Sequence, residues 1–192
     1  QYVSIDIETT GLDRNCQIIE FAAVIDDLSE PVPIKNLPVF HTYVTHELYS
    51  GEPYALAMHA EKFKRIAEPR KYPEYKFTKN EFLAGAFGDW LALNGFSRDR
   101  GGRVKLTAAG KNFASFDLQF INKLPRFDDN LNITSRCIDV GPMYLTAKDK
   151  QIPALEECIK RAGLDKAEVT HDGLNEAIIV AQLIRHKLLP SQ

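Results

Sequence analysis

The sequence has no apolar run approaching the roughly eighteen residues that a membrane-spanning helix needs, so no membrane association is expected. No charged-then-apolar leader opens the sequence as given, which starts at Gln1, and a few residues are expected to precede it. Cysteine is scarce: Cys16, Cys137 and Cys158 are odd in number, lie far apart and form no C-x-x-C pair. This argues against a disulfide framework or a zinc site, and a reducing, cytoplasmic location is expected. A strong charge excess is also missing, with 24 Lys and Arg against 26 Asp and Glu and a net charge of −2. Such a balance argues against a protein that grips long nucleic acid by charge alone. It leaves room for one that holds a short end through metal ions, because metal-binding acids count against the total. With eleven Gly, ten Pro and no internal repeat, nothing signals low complexity or a long linker. The 192 residues, 44% hydrophobic and 26% charged, predict one globular domain over 1–192 with a sizeable core.

What the sequence does contain is a run near its N-terminus, Ser4-Ile5-Asp6-Ile7-Glu8-Thr9-Thr10-Gly11-Leu12, in which two acids interrupt a strand-like pattern. Strand alternation sends Asp6 and Glu8 to one face and Ile5 and Ile7 to the core. Two carboxylates this close repel each other unless a cation sits between them, and magnesium-type ions prefer such oxygen ligands. An edge strand with acids on its wet face remains the alternative for this pair alone.

Residues 16–25 and 39–44 read as further β-branched strands, so the first 44 residues predict an antiparallel meander. A helical stretch opens at Pro53 and runs to about Ala67. Thr78-Lys79-Asn80-Glu81 matches a capping box ahead of a helix that Asn94-Gly95 ends. Strands are expected at 104–110 and 132–138, with helices carrying Leu118 to Leu124, running from Pro153 through Arg161, and following Thr170. Asp139, ahead of Gly141 and Pro142, reads as an N-cap. Strands first, then strands alternating with helices, predict an α/β domain with a mixed sheet and helices on both faces.

Acids recur where ligand sites gather in such sheets, at strand ends and helix starts: Asp6 and Glu8, then Asp117, then Glu176 in Thr170-His171-Asp172-Gly173-Leu174-Asn175-Glu176-Ala177. The series D-x-E-T-T-G, N-x-x-x-F-D and H-x-x-x-x-(D/E)-A, in that order over nearly the whole chain, resembles the DEDDh 3′–5′ exonucleases of the ribonuclease H-like superfamily. The resemblance implies a ribonuclease H-like sheet, an antiparallel N-terminal meander plus parallel strands, flanked by helices. It implies that Asp6, Glu8, Asp117 and Glu176 hold two divalent cations, Mg2+ or Mn2+, with Asp6 bridging, and that His171 is the general base. The reaction implied is hydrolysis of the terminal phosphodiester of single-stranded DNA or short RNA, giving nucleoside 5′-monophosphates. Two ions can clamp the attacking and leaving oxygens of an in-line displacement, and histidine is the side chain suited to exchanging a proton near neutral pH.

Two departures from the family pattern stand out. Asn112 and Asp117 are five residues apart rather than four, which a loop absorbs. The last acid is Glu176 where the family has Asp, and Gly173 stands where Ala is commoner. One extra methylene moves the carboxylate by roughly 1 Å, and a misplacement on that scale can cost about 10²-fold in rate. Asp172 is a fallback ligand one turn earlier. A relative that binds 3′ ends without efficient cleavage is therefore the alternative. The resemblance further implies that Thr9, Thr10 and Leu12 line the terminal nucleotide, that Met58 or His59 touches its base, and that Asn112 and Phe116 border the pocket. His41, His46, His59 and His186 fit no spacing with the acids and read as structural or solvent-facing. Between Glu61 and Lys79, seven Lys and Arg face three Glu, with Phe63, Tyr72, Tyr75 and Phe77 interleaved. That segment reads either as a surface that tracks a single strand or as a solvated helix and loop. The expected partner is the 3′ end of a single-stranded nucleic acid; a homodimer or a polymerase partner is left open, as is DNA against RNA.

Overall fold

The structure is a computed structural model and describes residues 1–164, 167 and 169–189. Strand β1 (Tyr2–Thr9) pairs antiparallel with β2 (Ile18–Asp26), and β2 with β3 (Val39–Thr45), so the expected meander is present. Parallel strands extend it on both sides: β4 (Phe77–Lys79) beside β3, β6 (Ala108–Gly110) beside β1, and β8 (Ile138–Asp139) beside β6. The resulting order is β4-β3-β2-β1-β6-β8. This is the mixed α/β sheet flanked by helices that the sequence predicts.

Alternation along β1 decides what each face carries. Val3, Ile5 and Ile7 point with Phe21, Ala23 and Ile25 of β2 into the larger core, where α3 (Asn80–Leu93) contributes Leu83, Ala84, Phe87 and Leu91. Burying each such large apolar side chain contributes about 1.5–3 kcal/mol. The opposite face of β1 and β2 is covered by α8 (Gly173–Leu188), whose Ala177 and Ala181 pack on Val24. Ser4 Oγ donates to the Ala177 carbonyl at 2.8 Å, satisfying a hydroxyl that the helix buries. At the far end of α8, Arg185 makes a bidentate pair with buried Asp26, at 2.6 and 2.9 Å, and Tyr2 Oη also donates to Asp26. That clamp fixes the helix whose first turn carries Glu176.

Several expectations change. The strand expected at 104–110 is two: β5 (Val104–Lys105) pairs with β7 (Leu131–Asn132) in a separate ribbon, and only β6 joins the main sheet. The strand expected at 132–138 divides likewise between β7 and β8. Pieces of two or three residues carry no legible period. The capping box at Thr78 does not form. Thr78 Oγ1 instead bonds Thr42 Oγ1 at 2.9 Å across the β3–β4 pair, and α3 starts at Asn80. The stretch from Pro53 is two helices, α1 (Pro53–Met58) and α2 (Ala60–Ala67), with His59 between them. The helix expected through Leu124 is α4 (Asp117–Ile121) alone, followed by the short α5 (Phe127–Asn130). Asp139 caps α6 (Val140–Met143) as expected, its Oδ1 accepting from Gly141 N at 2.9 Å, and α7 (Leu155–Ala162) lies in the core region under α8.

Candidate active site

Asp6 and Glu8 project from β1 toward the face that α8 covers, because both share the parity of Ser4, whose hydroxyl bonds that helix. The pairing slips between Glu8 and Thr9, a bulge-like irregularity of the kind that re-aims side chains at sheet ends. Asp117 enters from the start of α4, just beyond β6. Its Oδ1 accepts from Ile7 N at 3.3 Å, which ties it to the strand carrying the other two acids. Asn112 absorbs the extra residue before it by adopting a left-handed backbone, φ 60°, while its carbonyl accepts from Phe116 N at 2.9 Å.

The start of α8 supplies the rest. Asp172 is its N-cap, its Oδ1 accepting from Asn175 N at 2.9 Å, and its charge also bears on Glu8. Gly173 lies against Asp6: a Cβ there would stand 3.5 Å from Asp6 Oδ2 and 3.4 Å from Ala22 Cβ, so an alanine would just fit. Glu176 reaches back, its Oε1 accepting from His171 N at 3.0 Å, and His171 is exposed with φ 50°. One ligand atom each of Glu8, His171 and Glu176 lies within 4.8 Å of the others, the only such group of three or more His, Cys, Asp or Glu among the described residues.

The electrostatics of the cluster follow from burial and like charge. Burial first, then Asp117, Glu176 and Glu8, raise the Asp6 carboxyl well above its ordinary range. Burial pushes Glu8 up to about 8 against the opposing pull of Lys62, and Asp117 up to about 8 despite its backbone hydrogen bonds. Glu176 is raised as well, chiefly by burial. Four oxygen-donor carboxylates that resist ionisation together are a donor set suited to hard divalent cations such as Mg2+ or Mn2+.

That arrangement has a consequence for the cation-free protein. A carboxyl whose pKa is raised by folding binds more protons folded than unfolded, so its contribution is full below the ordinary value near 4 and is lost as pH rises through the folded value. With Glu8 and Asp117 pushed up to about 8, the melting temperature in EDTA falls as pH rises from about 5 to about 8.5. Each 1 kcal/mol moves it by about 2–4 °C at this size. Mn2+ flattens the decline; a flat or rising curve in EDTA contradicts the assignment.

Several residues around the acids were not legible in the sequence. Glu20 sits directly opposite Glu8 in the β1–β2 register and is fully buried. Lys62 contacts Glu20 and lies 3.9 Å from Glu8 Oε1, and His41 Nε2 lies 2.6 Å from Glu20 Oε1. His59, expected at the base or in a structural or solvent-facing role, is buried at 2% exposure with Nε2 3.4 Å from Glu8 Oε2, which fits the structural reading. Burial, then Lys62, lower its pKa to about 4, leaving it neutral at physiological pH, and its Nδ1 has no hydrogen-bond partner. The signal for Glu20 was the hairpin register itself. His46 and His186 have local partners, Ile18 O and Tyr144 Oη.

Beside the acids, the turn after β1 is docked on the start of α1. Glu52 Oε1 accepts from Leu12 N at 2.9 Å and Asp13 N at 3.2 Å, and Glu52 N donates to Thr10 O. A side chain at Gly11 would collide with Glu52 at 2.7 Å and Cys16 at 2.8 Å, which is why glycine stands there. Leu12, 72% exposed, and Met58 present apolar surface, whereas Thr9 and Thr10 are buried, with Thr9 Oγ1 donating to Gly11 O and Thr10 Oγ1 accepting from Gln17 N. Phe116 packs on Phe120, ring centroids 5.1 Å apart, and Asn112 is exposed. In the basic segment, the aromatics are largely spoken for: Phe63, Tyr75 and Phe77 pack with Tyr43, Ile66 and Tyr49, and Lys62 is buried. These three rings are half-buried against the outer end of the sheet, and Tyr72 lies outside that cluster.

No known family profile and no curated protein matches the sequence. Solved structures do resemble it. Cell-death related nuclease 4 (CRN-4) superimposes with a TM-score of 0.63 at 14% identity, over 96% of this chain and 62% of that one. S. pombe Pop2p in its Mg2+- and Mn2+-bound form gives 0.62 at 13% identity, over 97% and 83%. E. coli Exonuclease I in complex with a 5cy-dT13 oligonucleotide gives 0.60 at 16% identity, over 97% and 41%. The chain thus spans less than two thirds of the first of these and about two fifths of the third. Likeness at this identity establishes the fold, a ribonuclease H-like mixed sheet with flanking helices.

Proposed function

We propose that the protein is a divalent-cation-dependent 3′–5′ exonuclease of the DEDDh type, releasing nucleoside 5′-monophosphates from single-stranded DNA or short RNA. The observation that carries this reading is the convergence of buried Asp117 and Glu8 with Asp6 and Glu176, from three distant segments, at one end of the sheet. The neighbours support it: one is a nuclease by name, one is a Mg2+- and Mn2+-bound structure, and one is an exonuclease holding an oligonucleotide.

In this reading Asp6, Glu8, Asp117 and Glu176 hold two cations, Mg2+ or Mn2+. When bound, such ions stabilise charge on the phosphoryl oxygens and make water a better nucleophile. The chain's own residues do the rest. His171 takes the proton of the attacking water at a ring nitrogen, and Glu176 fixes the His171 backbone through the 3.0 Å hydrogen bond. Leu12 and Met58 offer apolar contact to the terminal base, with Asn112 and Phe116 bordering the nucleotide, while buried Thr9 and Thr10 brace the turn behind it. His59, buried against Glu8, acts on that carboxylate rather than on the base.

Glu176→Asp tests whether Glu176 belongs to the ligand set, while release of mononucleotide separates this reading from that of a non-cleaving relative. The shorter side chain withdraws from His171 N, so both Mn2+ affinity and turnover fall, turnover by about 10²-fold. Unchanged affinity and activity would remove Glu176 from the ligand set. The function itself is tested by incubating 5′-labelled single-stranded DNA and RNA with Mg2+, Mn2+ or EDTA. A ladder shortening from the 3′ end, with mononucleotide release that stops in EDTA, is expected; intact substrate in both metals overturns the proposal.

A further inference from the structure

Glu20 is a fifth acid at the site, and its position is set by backbone pairing rather than by a motif. It lies directly across from Glu8, and two carboxylates so opposed destabilise a strand pair unless a cation is set between them. Lys62 is that cation. It comes from α2, is itself buried at 8% exposure, contacts Glu20 Oε2 and stands 3.9 Å from Glu8 Oε1. His41 holds the other Glu20 oxygen at 2.6 Å, so both oxygens of Glu20 are committed to the chain. Glu8 is bracketed by Lys62 on one oxygen and His59 on the other. The result is an asymmetric pair: Glu20 fully engaged, Glu8 only loosely held.

We infer that Lys62 is a positioning residue that keeps Glu20 out of the cation site, so that Glu8 turns to Asp6 and Glu176 and the site holds four acids rather than five. The inference rests on the proposed cation site. A buried lysine this close to a cation site opposes cation binding, so a role in simple tightening is excluded by sign. Its use is geometric. Without it, Glu20 and Glu8 would share a cation between them, and Glu8 would be drawn along the strand pair away from Asp6.

This predicts a split that damage to the fold would not produce. Lys62→Met keeps the length of the stem and removes the charge; it binds Mn2+ about tenfold tighter, by loss of one nearby positive charge, yet cleaves more slowly. Glu20→Gln leaves Lys62 facing Glu8 alone and binds Mn2+ more weakly. The double variant Glu20→Gln/Lys62→Met removes one charge of each sign and returns to within about twofold of the wild-type affinity.

The test is calorimetric titration of the full chain with Mn2+ for the wild type and these three variants, with melting curves to confirm folding and cleavage of 5′-labelled single-stranded DNA as the second readout. Tighter binding with slower cleavage in Lys62→Met, abolished in the double variant, is expected. Weaker or unchanged binding in Lys62→Met overturns the inference, as does a gain that survives in the double variant. Glu20→Gln gives an independent check should Lys62→Met fail to fold, and wild-type affinity in it would also overturn the inference. A wild type that binds Mn2+ but releases no mononucleotide defeats the exonuclease reading, whereas tighter binding with undiminished cleavage in Lys62→Met, in a chain that does cleave, overturns the positioning role alone.

Discussion

Asp6→Asn lowers cleavage by at least about 10³-fold and, in EDTA, raises the melting temperature. The two effects have one origin. Asp6 is placed among Asp117, Glu176 and Glu8, each of which opposes its ionisation, so its charge costs the cation-free fold stability. Asparagine keeps the shape, removes the charge and relieves that repulsion. The same charge is what the proposed site uses: losing about 4 kcal/mol of transition-state stabilisation corresponds to about 10³-fold in rate. Rate measured on labelled single-stranded DNA, beside a melting curve, checks both halves. A variant that is less stable and equally active would place Asp6 in an ordinary structural role.

His171→Ala lowers kcat by about 10²–10⁴-fold, the range for loss of a general base. His171 stands at the rim of the cluster, exposed, with a left-handed backbone that Glu176 pins through its N–H. A ring nitrogen lies within 4.8 Å of oxygens of Glu8 and Glu176, so the geometry alone admits either a base or a ligand. Mn2+ affinity tells them apart. A general base leaves it within about twofold of wild type while kcat collapses; a ligand loses affinity along with rate. The exonuclease reading predicts the first pattern, and an unchanged kcat would contradict it.

How much of this was legible in the sequence depends on how local the cause was. Alternation in Ile5-Asp6-Ile7-Glu8 was enough to place both acids on one face, and the β-branched runs that follow were enough to give the meander. Asp139 as a cap followed from its neighbours Gly141 and Pro142. The two-residue strands β5, β7 and β8 were not legible, because pairing partners rather than periodicity make them strands. Thr78 failed as a capping residue because Thr42, 36 residues away, takes its hydroxyl. Asp172 shows the opposite case: its Oδ1 caps the helix locally, yet its charge still bears on Glu8, so spacing alone does not assign it one role. The role of Lys62 is not legible in a basic segment that reads as surface, since only the docking of α2 on the sheet shows that it points inward at Glu8 and Glu20; His59 is named by the motif resemblance, but its contact with Glu8 is set by the same docking.

The central claim is that Asp6 and Asp117, from opposite ends of a long loop of chain, belong to one divalent-cation site. Calorimetric titration with Mn2+ tests it most directly, comparing the wild type with Asp6→Asn and with Asp117→Asn. Saturable binding of two ions per chain in the wild type, weakened at least tenfold by either substitution, is the predicted result, taking one charge at such range as worth about that factor. Binding in both variants indistinguishable from wild type, or none in the wild type, would contradict the account.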